Sequence, residues 1–183
     1  MNFSDIKVIA IDCDGVLTDG IYQISEQEVA GRIVTKSFYT RDFSALEQLM
    51  KADIFVFIVT QSHDKVMYRQ LQRIASHSKF WMDQWCTNKL RLFSGIENKE
   101  ETIIEEVRKL PMCFWDWDNV AYIGDAENDI SSMKKALYTG CPCDAIEAVK
   151  EEANYISDFP GGKGAVYDFC MHILEKKFME SKE

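Results

Sequence analysis

The 183-residue sequence lacks an excess of positive charge. Its 21 lysines and arginines stand against 30 aspartates and glutamates, which gives a formal net charge of −9. Neither a basic stripe nor a lysine-arginine cluster is present, and this argues against a nucleic-acid partner or a broad anionic-membrane surface. An anionic substrate is still compatible with this charge, because one local cation and a metal can reverse the sign within a cleft.

Long apolar runs are also missing. No run approaches the ~18–20 residues that a membrane span needs, and the N-terminus lacks a basic region followed by a long apolar core. We therefore expect a cytoplasmic protein without a membrane partner. Repeats, low-complexity tracts and interdomain linkers are not evident, so the length and the apolar fraction of 46% predict one domain over residues 1–183.

The six cysteines are not spaced like the disulfide framework of a secreted protein. Cys141-Pro142-Cys143 is the one close pair, and a second pair that would complete four metal ligands is absent from the sequence. Buried free thiols are the interpretation that we favour, and a metal site at this pair is the alternative.

Short apolar runs alternate with amphipathic stretches along the chain. The runs at 7–11, 54–59, 79–82 and 120–123 have the length and composition of strands buried on both faces of a parallel sheet. Helical spacing of apolar residues predicts helices over 44–51, 64–75, 99–110, 129–136 and 164–177. This alternation predicts a doubly wound, Rossmann-like α/β fold with a parallel sheet.

Polar residues follow each predicted strand, where this fold class places its ligands. The first run is followed by Asp12 and Asp14, the second by Thr60, the third at some distance by Lys89, and the fourth by Asp125. Asp12 and Asp14 would repel each other on one side of an extended chain, so we expect a compensating cation.

One segment interrupts the alternation. Residues 20–40, "GIYQISEQEVAGRIVTKSFYT", are rich in β-branched and aromatic residues around a polar centre, which predicts a projecting β-hairpin over 21–40. The intervals between Asp12 and Thr60 and between Thr60 and Lys89 are filled by this hairpin and the predicted helices and strands. We therefore expect no additional cap domain.

Four stretches, "DCDGVLTDG", "IVTQ", "TNKL" and "YIGDAENDI", occur in the order of the four motifs of the haloacid dehalogenase-like (HAD-like) phosphohydrolases, which the chain resembles over nearly its whole length. The hairpin, "RDF" and "GGKGAV" resemble the capless sugar-acid phosphatases that act on 3-deoxy-octulosonate 8-phosphate or nonulosonate 9-phosphates, in lipopolysaccharide or sialic acid biosynthesis. They also resemble the C-terminal module of animal acylneuraminate cytidylyltransferases.

This resemblance implies a phosphatase that works through an aspartyl-phosphate, with Asp12 as nucleophile and Asp14 as general acid and base. It implies Mg²⁺ as the cofactor, held by Asp12, the backbone carbonyl of Asp14, and Asp125, since magnesium prefers oxygen ligands. Lys89 would bring positive charge to the phosphoryl oxygens, and Thr60 would donate a hydrogen bond to them.

The remaining expected roles concern the substrate and the support of the site. Asp129 would orient Lys89 or a metal-bound water, and the predicted substrate-binding residues are Gly15, Asp42, Thr60, Ser62 and Lys89. Taken singly, Asp125 and Asp129 could instead be an N-cap pair of a helix, and Lys89 a solvated lysine. Ser62 stands where octulosonate phosphatases tend to have Arg and some nonulosonate phosphatases have Glu.

A capless site is open to water, and the related capless enzymes cover it by assembling as tetramers. We therefore expect a homotetramer built through the hairpin, acting on a small phosphorylated metabolite. The alternative is a non-catalytic oligomerisation or regulatory module beside a cytidylyltransferase. In the animal module the second carboxylate of the first motif is lost, whereas Asp14 is present here.

Overall fold

The computed structural model describes residues 1–27, 31–111 and 114–182. Its strands are β1 (Val8–Asp12), β2 (Gln23–Gln27), β3 (Gly31–Thr35), β4 (Phe55–Thr60), β5 (Leu90–Ser94), β6 (Val120–Ile123), β7 (Tyr138–Cys141) and β8 (Tyr155–Ile156). Its helices are α1 (Thr40–Lys51), α2 (Val66–His77), α3 (Lys79–Cys86), α4 (Lys99–Arg108), α5 (Ile130–Met133), α6 (Glu147–Glu152) and α7 (Ala165–Glu180).

Six strands form one parallel sheet in the order β5-β4-β1-β6-β7-β8. Alternate residues of β1 point to opposite faces, so Ile9 and Ile11 pack with α1, α2 and α7, while Val8 and Ala10 pack with α4, α5 and α6. Helices therefore cover both faces, and the predicted doubly wound α/β fold is confirmed.

The second sheet is the hairpin predicted from residues 20–40. Strands β2 and β3 pair antiparallel with Ile24 opposite Val34, and the connecting residues 28–30 lie outside the described part of the chain. Ile24 pairs with Val34, so Ile33 lies on the opposite face of the sheet from Ile24. Both isoleucine side chains are exposed. Both faces of this small sheet thus present apolar surface to solvent.

The prediction of a strand at 79–82 is wrong, because these residues begin α3. The Ser78 side chain caps the helix by accepting from the backbone N–H of Trp81. The Trp81 ring is buried, and its Nε1 donates to Glu47 on α1 at 3.0 Å. Packing of this tryptophan against α1 stabilises the helix over the strand that its aromatic composition suggested.

In chain order, the third strand of the six-stranded sheet is instead β5. Two further strands, β7 and β8, were not predicted. The helix predicted at 129–136 is reduced to a 3₁₀ turn at Glu127–Asp129 followed by the single turn of α5. The helices α1, α2, α4 and α7 match their predicted positions, with shifts at their ends of up to a turn.

In the described residues, no helix combines the length and apolar character that crossing a membrane requires.

Candidate active site

The polar ends of three neighbouring strands meet at one edge of the sheet. Asp12 ends β1, Thr60 ends β4, and Asp125 follows β6 by two residues. The chain turns from β1 to β4 on one side and to β6 on the other, so this is the switch point at which doubly wound folds bind ligands. A cavity of about 320 Å³ opens here, lined by Asp12, Asp14, Tyr22, Thr60, Gln61, Ser62, Ala126 and Asn128.

The loop after β1 is held in a tight conformation by glycines. Gly15 has φ of +94°, and a Cβ at this position would lie 2.1 Å from Oδ2 of Asp125. A Cβ on Gly161 would lie 1.8 Å from the carbonyl oxygen of Gly15, and the N–H of Gly162 donates to the carbonyl of Val16 at 2.8 Å. The glycine turn before α7 therefore supports the loop that carries Asp12 and Asp14.

A buried lysine joins the carboxylate at the end of β1 to a carboxylate in the turn that follows β6. Nζ of Lys99 lies 2.5 Å from Oδ1 of Asp12 and 2.7 Å from Oδ1 of Asp129, and its side chain is 1% exposed. Burial by itself lowers the pKa of Lys99, but the charges of Asp12 and Asp129 outweigh burial and raise it. Lys99 therefore stays protonated and brings a positive charge to the floor of the cavity.

Asp129 is surrounded by donors. Its Oδ1 accepts from Lys99 and from the hydroxyl of Tyr122 at 2.5 Å, and its Oδ2 accepts from the backbone N–H groups of Asp125 and Ala126 at 3.0 and 3.1 Å. This side chain is fully buried and ties β6 to the following turn. Its main effect is to fix the positions of Lys99 and of the backbone at Asp125.

Three carboxylates converge closely enough to share a cation. Asp12, Asp125 and Asp129 each offer an oxygen within 4.8 Å of the others. Burial, followed by the charge of Asp129, raises the pKa of Asp12 well above its usual range and that of Asp125 to about 6. Among the described residues, the buried Oδ1 of Asp125 has no hydrogen-bond partner. An all-oxygen set with an unpartnered buried oxygen fits a hard divalent cation.

Asp14 lies at the mouth of the same cavity. Its Oδ2 accepts from the hydroxyls of Thr60 at 3.2 Å and Tyr22 at 3.4 Å, while its Oδ1 lies 2.6 Å from Nζ of Lys36. The side chain is 23% exposed, in contrast to the buried Asp12. Asp14 is thus accessible to a molecule in the cavity and Asp12 lies beneath it.

The structure brings most of the predicted site residues together. The residues that line the cavity or contact its lining are Asp12, Asp14, Gly15, Thr60, Ser62, Asp125 and Asp129. Two predicted residues lie elsewhere, namely Lys89 and Asp42.

The placement of Lys89 at the site is wrong. Lys89 directly precedes β5, at the amino end of a strand whose carboxyl end points to the cavity, and its ammonium group pairs with the exposed Asp53. Lys99, at the first residue of α4 after β5, occupies the predicted position instead. A lysine must come after its strand in the chain to reach the carboxyl edge of a parallel sheet. The order of strand and lysine along the chain could therefore have identified Lys99.

The structure also does not bring Asp42 to the cavity. Its side chain is fully buried between α1 and α7, where Oδ1 accepts from the backbone N–H of Tyr167 at 2.9 Å. Because α1 begins at Thr40, Asp42 lies in its first turn and faces the N-terminus of α7, where a carboxylate is favoured.

Besides Lys99, Lys36 and Tyr122 contribute to the site and were not predicted from the sequence. Lys36 follows β3 at the base of the hairpin, and nothing in the sequence distinguishes it from the other lysines of the chain. Tyr122 lies within the apolar run of β6, and its hydroxyl becomes significant only through its hydrogen bond to Asp129.

No protein-family model matches the chain. Among curated proteins, it is 30% identical over 171 residues to the 3-deoxy-D-manno-octulosonate 8-phosphate phosphatase KdsC of Escherichia coli, covering 93% of this chain and 80% of that enzyme. The chain belongs to the KdsC family of phosphatases. It is also 26% identical to N-acylneuraminate cytidylyltransferase B of Danio rerio, over 97% of this chain and 38% of that protein.

Solved structures agree with the KdsC assignment. A HAD-superfamily hydrolase from Legionella pneumophila matches with a TM-score of 0.79 and 26% identity, over 96% of this chain and 86% of that one. The 3-deoxy-D-manno-octulosonate 8-phosphate phosphatase of Moraxella catarrhalis, in complex with magnesium, phosphate and KDO, matches with a TM-score of 0.78 and 25% identity, over 99% of this chain and 95% of that one. The cobalt-bound enzyme of Haemophilus influenzae matches with a TM-score of 0.76 and 26% identity, over 97% and 92%. The chain is therefore an enzyme of the phosphatase type with the HAD fold.

Proposed function

We propose that this protein hydrolyses the phosphomonoester of a small sugar acid, with Mg²⁺ as cofactor and an aspartyl-phosphate as intermediate. The observation that carries this proposal is the meeting of Asp12, Asp125 and the protonated Lys99 beneath a cavity whose mouth holds Asp14. These groups match the needs of phosphoryl transfer, which depends on positioning and on neutralising charge.

The charge balance of the site supports a requirement for a divalent cation. The carboxylates of this cluster are Asp12, Asp14, Asp64, Asp125 and Asp129. Lys36 and Lys99 are the lysines that contact them, and each already lies between two carboxylates. The site therefore carries net negative charge, and a phosphate dianion would be repelled unless a further cation is bound.

Asp12 and Asp125 are the side chains that would hold Mg²⁺, together with the backbone carbonyl of Asp14. Asp129 is a weaker candidate, because its two oxygens already accept four donors. When bound, Mg²⁺ supplies positive charge that offsets the carboxylates and the phosphoryl oxygens.

The protein's own residues then divide the reaction into two steps. In the first, Asp12 attacks phosphorus, the bond to the sugar oxygen breaks, and protonated Asp14 gives that oxygen its proton. In the second, Asp14 takes a proton from water, the water oxygen attacks phosphorus, and the bond to Asp12 breaks to release inorganic phosphate. Lys99 stabilises charge on Asp12 throughout, and Thr60 orients Asp14 through its hydroxyl.

The substrate class rests on the relatives. KdsC enzymes are named for 3-deoxy-D-manno-octulosonate 8-phosphate, and the Moraxella catarrhalis structure holds magnesium, phosphate and KDO. Ser62 lines the cavity here instead of the Arg or Glu that the resemblance associates with octulosonate or nonulosonate phosphatases. We therefore propose a sugar acid of either type, phosphorylated at its terminal hydroxyl.

Assembly as a homotetramer through the hairpin completes the proposal. The exposed side chains Ile21, Tyr22, Ile24 and Ile33 support it, because apolar surface on both faces of a two-stranded sheet needs a partner.

The similarity to the cytidylyltransferase of Danio rerio supports a second candidate, a non-catalytic module that assembles a larger enzyme. Asp14, Asp125 and Lys99 would serve no purpose in such a module, so we favour the phosphatase.

Phosphate release from p-nitrophenyl phosphate, measured with and without Mg²⁺, tests the proposal. We expect turnover that EDTA abolishes and that Mg²⁺ restores, and a loss of at least ~10³-fold in Asp12→Asn. A panel of 3-deoxy-octulosonate 8-phosphate, a nonulosonate 9-phosphate, hexose phosphates and nucleoside phosphates then identifies the substrate. Absence of turnover on the whole panel would favour the non-catalytic module.

A further inference from the structure

The base of the hairpin is fastened to the loop that follows β4. Tyr22 precedes β2 and Lys36 follows β3, so the two residues flank the hairpin. The Tyr22 hydroxyl lies 2.6 Å from Oγ of Ser62 and 3.0 Å from Oδ2 of Asp64. The hairpin is therefore connected to the site at its base, independently of what its tip contacts.

Lys36 is the most buried member of this connection. Its Nζ lies 2.6 Å from Oδ1 of Asp14 and 2.6 Å from Oδ2 of Asp64, and its side chain is 2% exposed. It also lies over the ring of Tyr22, 4.5 Å from the centroid. Burial lowers the pKa of Lys36, but the hydrogen bonds to Asp14 and Asp64 outweigh burial and raise it. A buried, paired lysine of this kind has a fixed position.

Asp64 holds Lys36 from the loop that leads into α2. Its Oδ1 accepts from the backbone N–H of Val66 at 2.8 Å, at the start of α2, and Ser62 donates to its Oδ2. Burial raises the pKa of Asp64, yet the hydrogen bonds from Lys36 and Ser62 overcome this and lower it to about 2. Asp64 is therefore an anionic anchor for the lysine.

We propose that Lys36 is a positioning residue for Asp14, anchored by Asp64, and that through it the hairpin takes part in the protonation of the leaving group. This inference rests on the proposed function, in which Asp14 is the general acid. Lys36 binds Oδ1 of Asp14, while the cavity-lining hydroxyls of Thr60 and Tyr22 bind Oδ2. Oδ2 is then the oxygen turned towards the cavity, where the leaving oxygen of a substrate would lie.

The dependence of the rate on the leaving group separates this role from a merely structural one. An alkoxide from a sugar phosphate must be protonated as it leaves, whereas p-nitrophenolate is stable without a proton. A defect in the general acid therefore slows the sugar ester selectively. A loosened fold slows both esters by the same factor.

The experiment measures single-turnover phosphorylation of the enzyme by p-nitrophenyl phosphate and by the best sugar phosphate of the panel. For Lys36→Met, which keeps the apolar stem and removes the charge, we expect a loss of ~10- to 100-fold with the sugar phosphate and under ~3-fold with the aryl ester. Asp64→Asn should show the same selectivity with a smaller loss, because Lys36 keeps one carboxylate. Equal losses on the two esters would overturn the proposal.

Lys65→Met is the control, since Lys65 is exposed and lies next to Asp64 in the loop that follows β4. It should leave both rates unchanged. A wild-type protein that releases phosphate from neither ester overturns the proposed function, whereas an active wild type with a non-selective Lys36→Met variant overturns the role of Lys36 alone.

Thermal unfolding provides a second measurement if Lys36→Met folds poorly. The melting temperatures of Asp14→Ala, Lys36→Met and the double variant form a cycle. We expect the decrease in the double variant to be smaller than the sum of the two single decreases, because both changes remove the contact between Lys36 and Asp14. A double variant whose decrease equals the sum of the two single decreases would contradict the contact.

Discussion

Lys99 holds its positive charge between Asp12 and Asp129 in a place that solvent does not reach. Replacement by Met would leave those carboxylates facing each other, so Lys99→Met should lower kcat/KM for phosphate release by at least ~10²-fold. It should also destabilise the fold by ~3–5 kcal/mol, the usual cost of breaking a buried ion pair. Enzyme kinetics and urea unfolding measure the two effects.

Lys89→Met is the matched control for this change. Among the described residues, Lys89 forms an ion pair with the exposed Asp53 at the other edge of the sheet, so its replacement should alter kcat/KM by less than ~2-fold. A severe loss of activity in Lys89→Met with a mild effect in Lys99→Met would show that Lys89, and not Lys99, is the lysine of the active site.

Gly15 allows the Asp12–Asp14 loop to approach Asp125. A methyl group at this position would overlap the Asp125 carboxylate, and its φ of +94° disfavours any side chain. Gly15→Ala should therefore weaken Mg²⁺ binding by at least ~10-fold, as measured by isothermal titration, and cost ~1–3 kcal/mol of stability. Gly20→Ala is the control, since Gly20 also has positive φ but its Cβ would meet neighbours only at 3.5 Å. Equal loss of Mg²⁺ affinity in both variants would contradict the steric argument.

At the scale of single residues, the sequence was enough to predict Asp12, Asp14, Thr60 and Asp125 at one site, since each follows a strand. The prediction took Lys89 as the lysine of the site and did not consider Lys99, although Asn-Lys pairs occur at both 88–89 and 98–99. The position of β5 distinguishes the two lysines, because Lys89 precedes that strand and Lys99 follows it. An error in one strand thus became an error in one site residue.

At the scale of elements, Asp42 joins α1 to α7, and its contribution to the free energy of unfolding depends on pH. Its burial raises the pKa from 3.8 to about 6, so the folded protein binds this proton more tightly than the unfolded chain. The resulting stabilisation is complete below pH 3.8 and is lost as the pH rises through about 6, amounting to at most about 3 kcal/mol.

Asp42→Asn should remove this contribution while keeping an oxygen that accepts from Tyr167. We expect the free energy of unfolding of the variant to increase relative to wild type as the pH rises from 4 to 7, measured by urea unfolding at each pH. Asp83→Asn on the exposed face of α3 should run parallel to wild type. A constant difference between Asp42→Asn and wild type over this range would contradict the raised pKa.

The elements that the sequence predicted well are those with a long apolar periodicity, such as α1, α2, α4 and α7. A strand was predicted at 79–82 because aromatic residues are common in strands. The segment is helical instead, and the Trp81 ring is buried by packing on α1. Strand β8 has two residues, too few for a pattern, and Thr139 and Gly140 interrupt any apolar run in β7. Both strands are recognised from their pairing at the edge of the sheet.

At the scale of the whole molecule, the exposed hairpin should determine the oligomeric state. Light scattering of the wild-type protein should give the mass of a tetramer. Ile24→Glu combined with Ile33→Glu would put charge on both apolar faces and should give monomers or dimers. Phe178→Glu, which changes an exposed apolar residue on α7, is the control and should stay tetrameric. A monomeric wild type would remove the proposed assembly.

The support of the Gly15 loop by Gly161 and Gly162 has a consequence for synthesis on the ribosome. Asp12 is translated well before Gly161 and Gly162, whose turn supports its loop. A nascent polypeptide would thus expose this edge of the sheet unassembled until that turn has emerged. Enzymatic competence should arise abruptly, once the turn and the helix α7 that follows it have cleared the exit tunnel and docked.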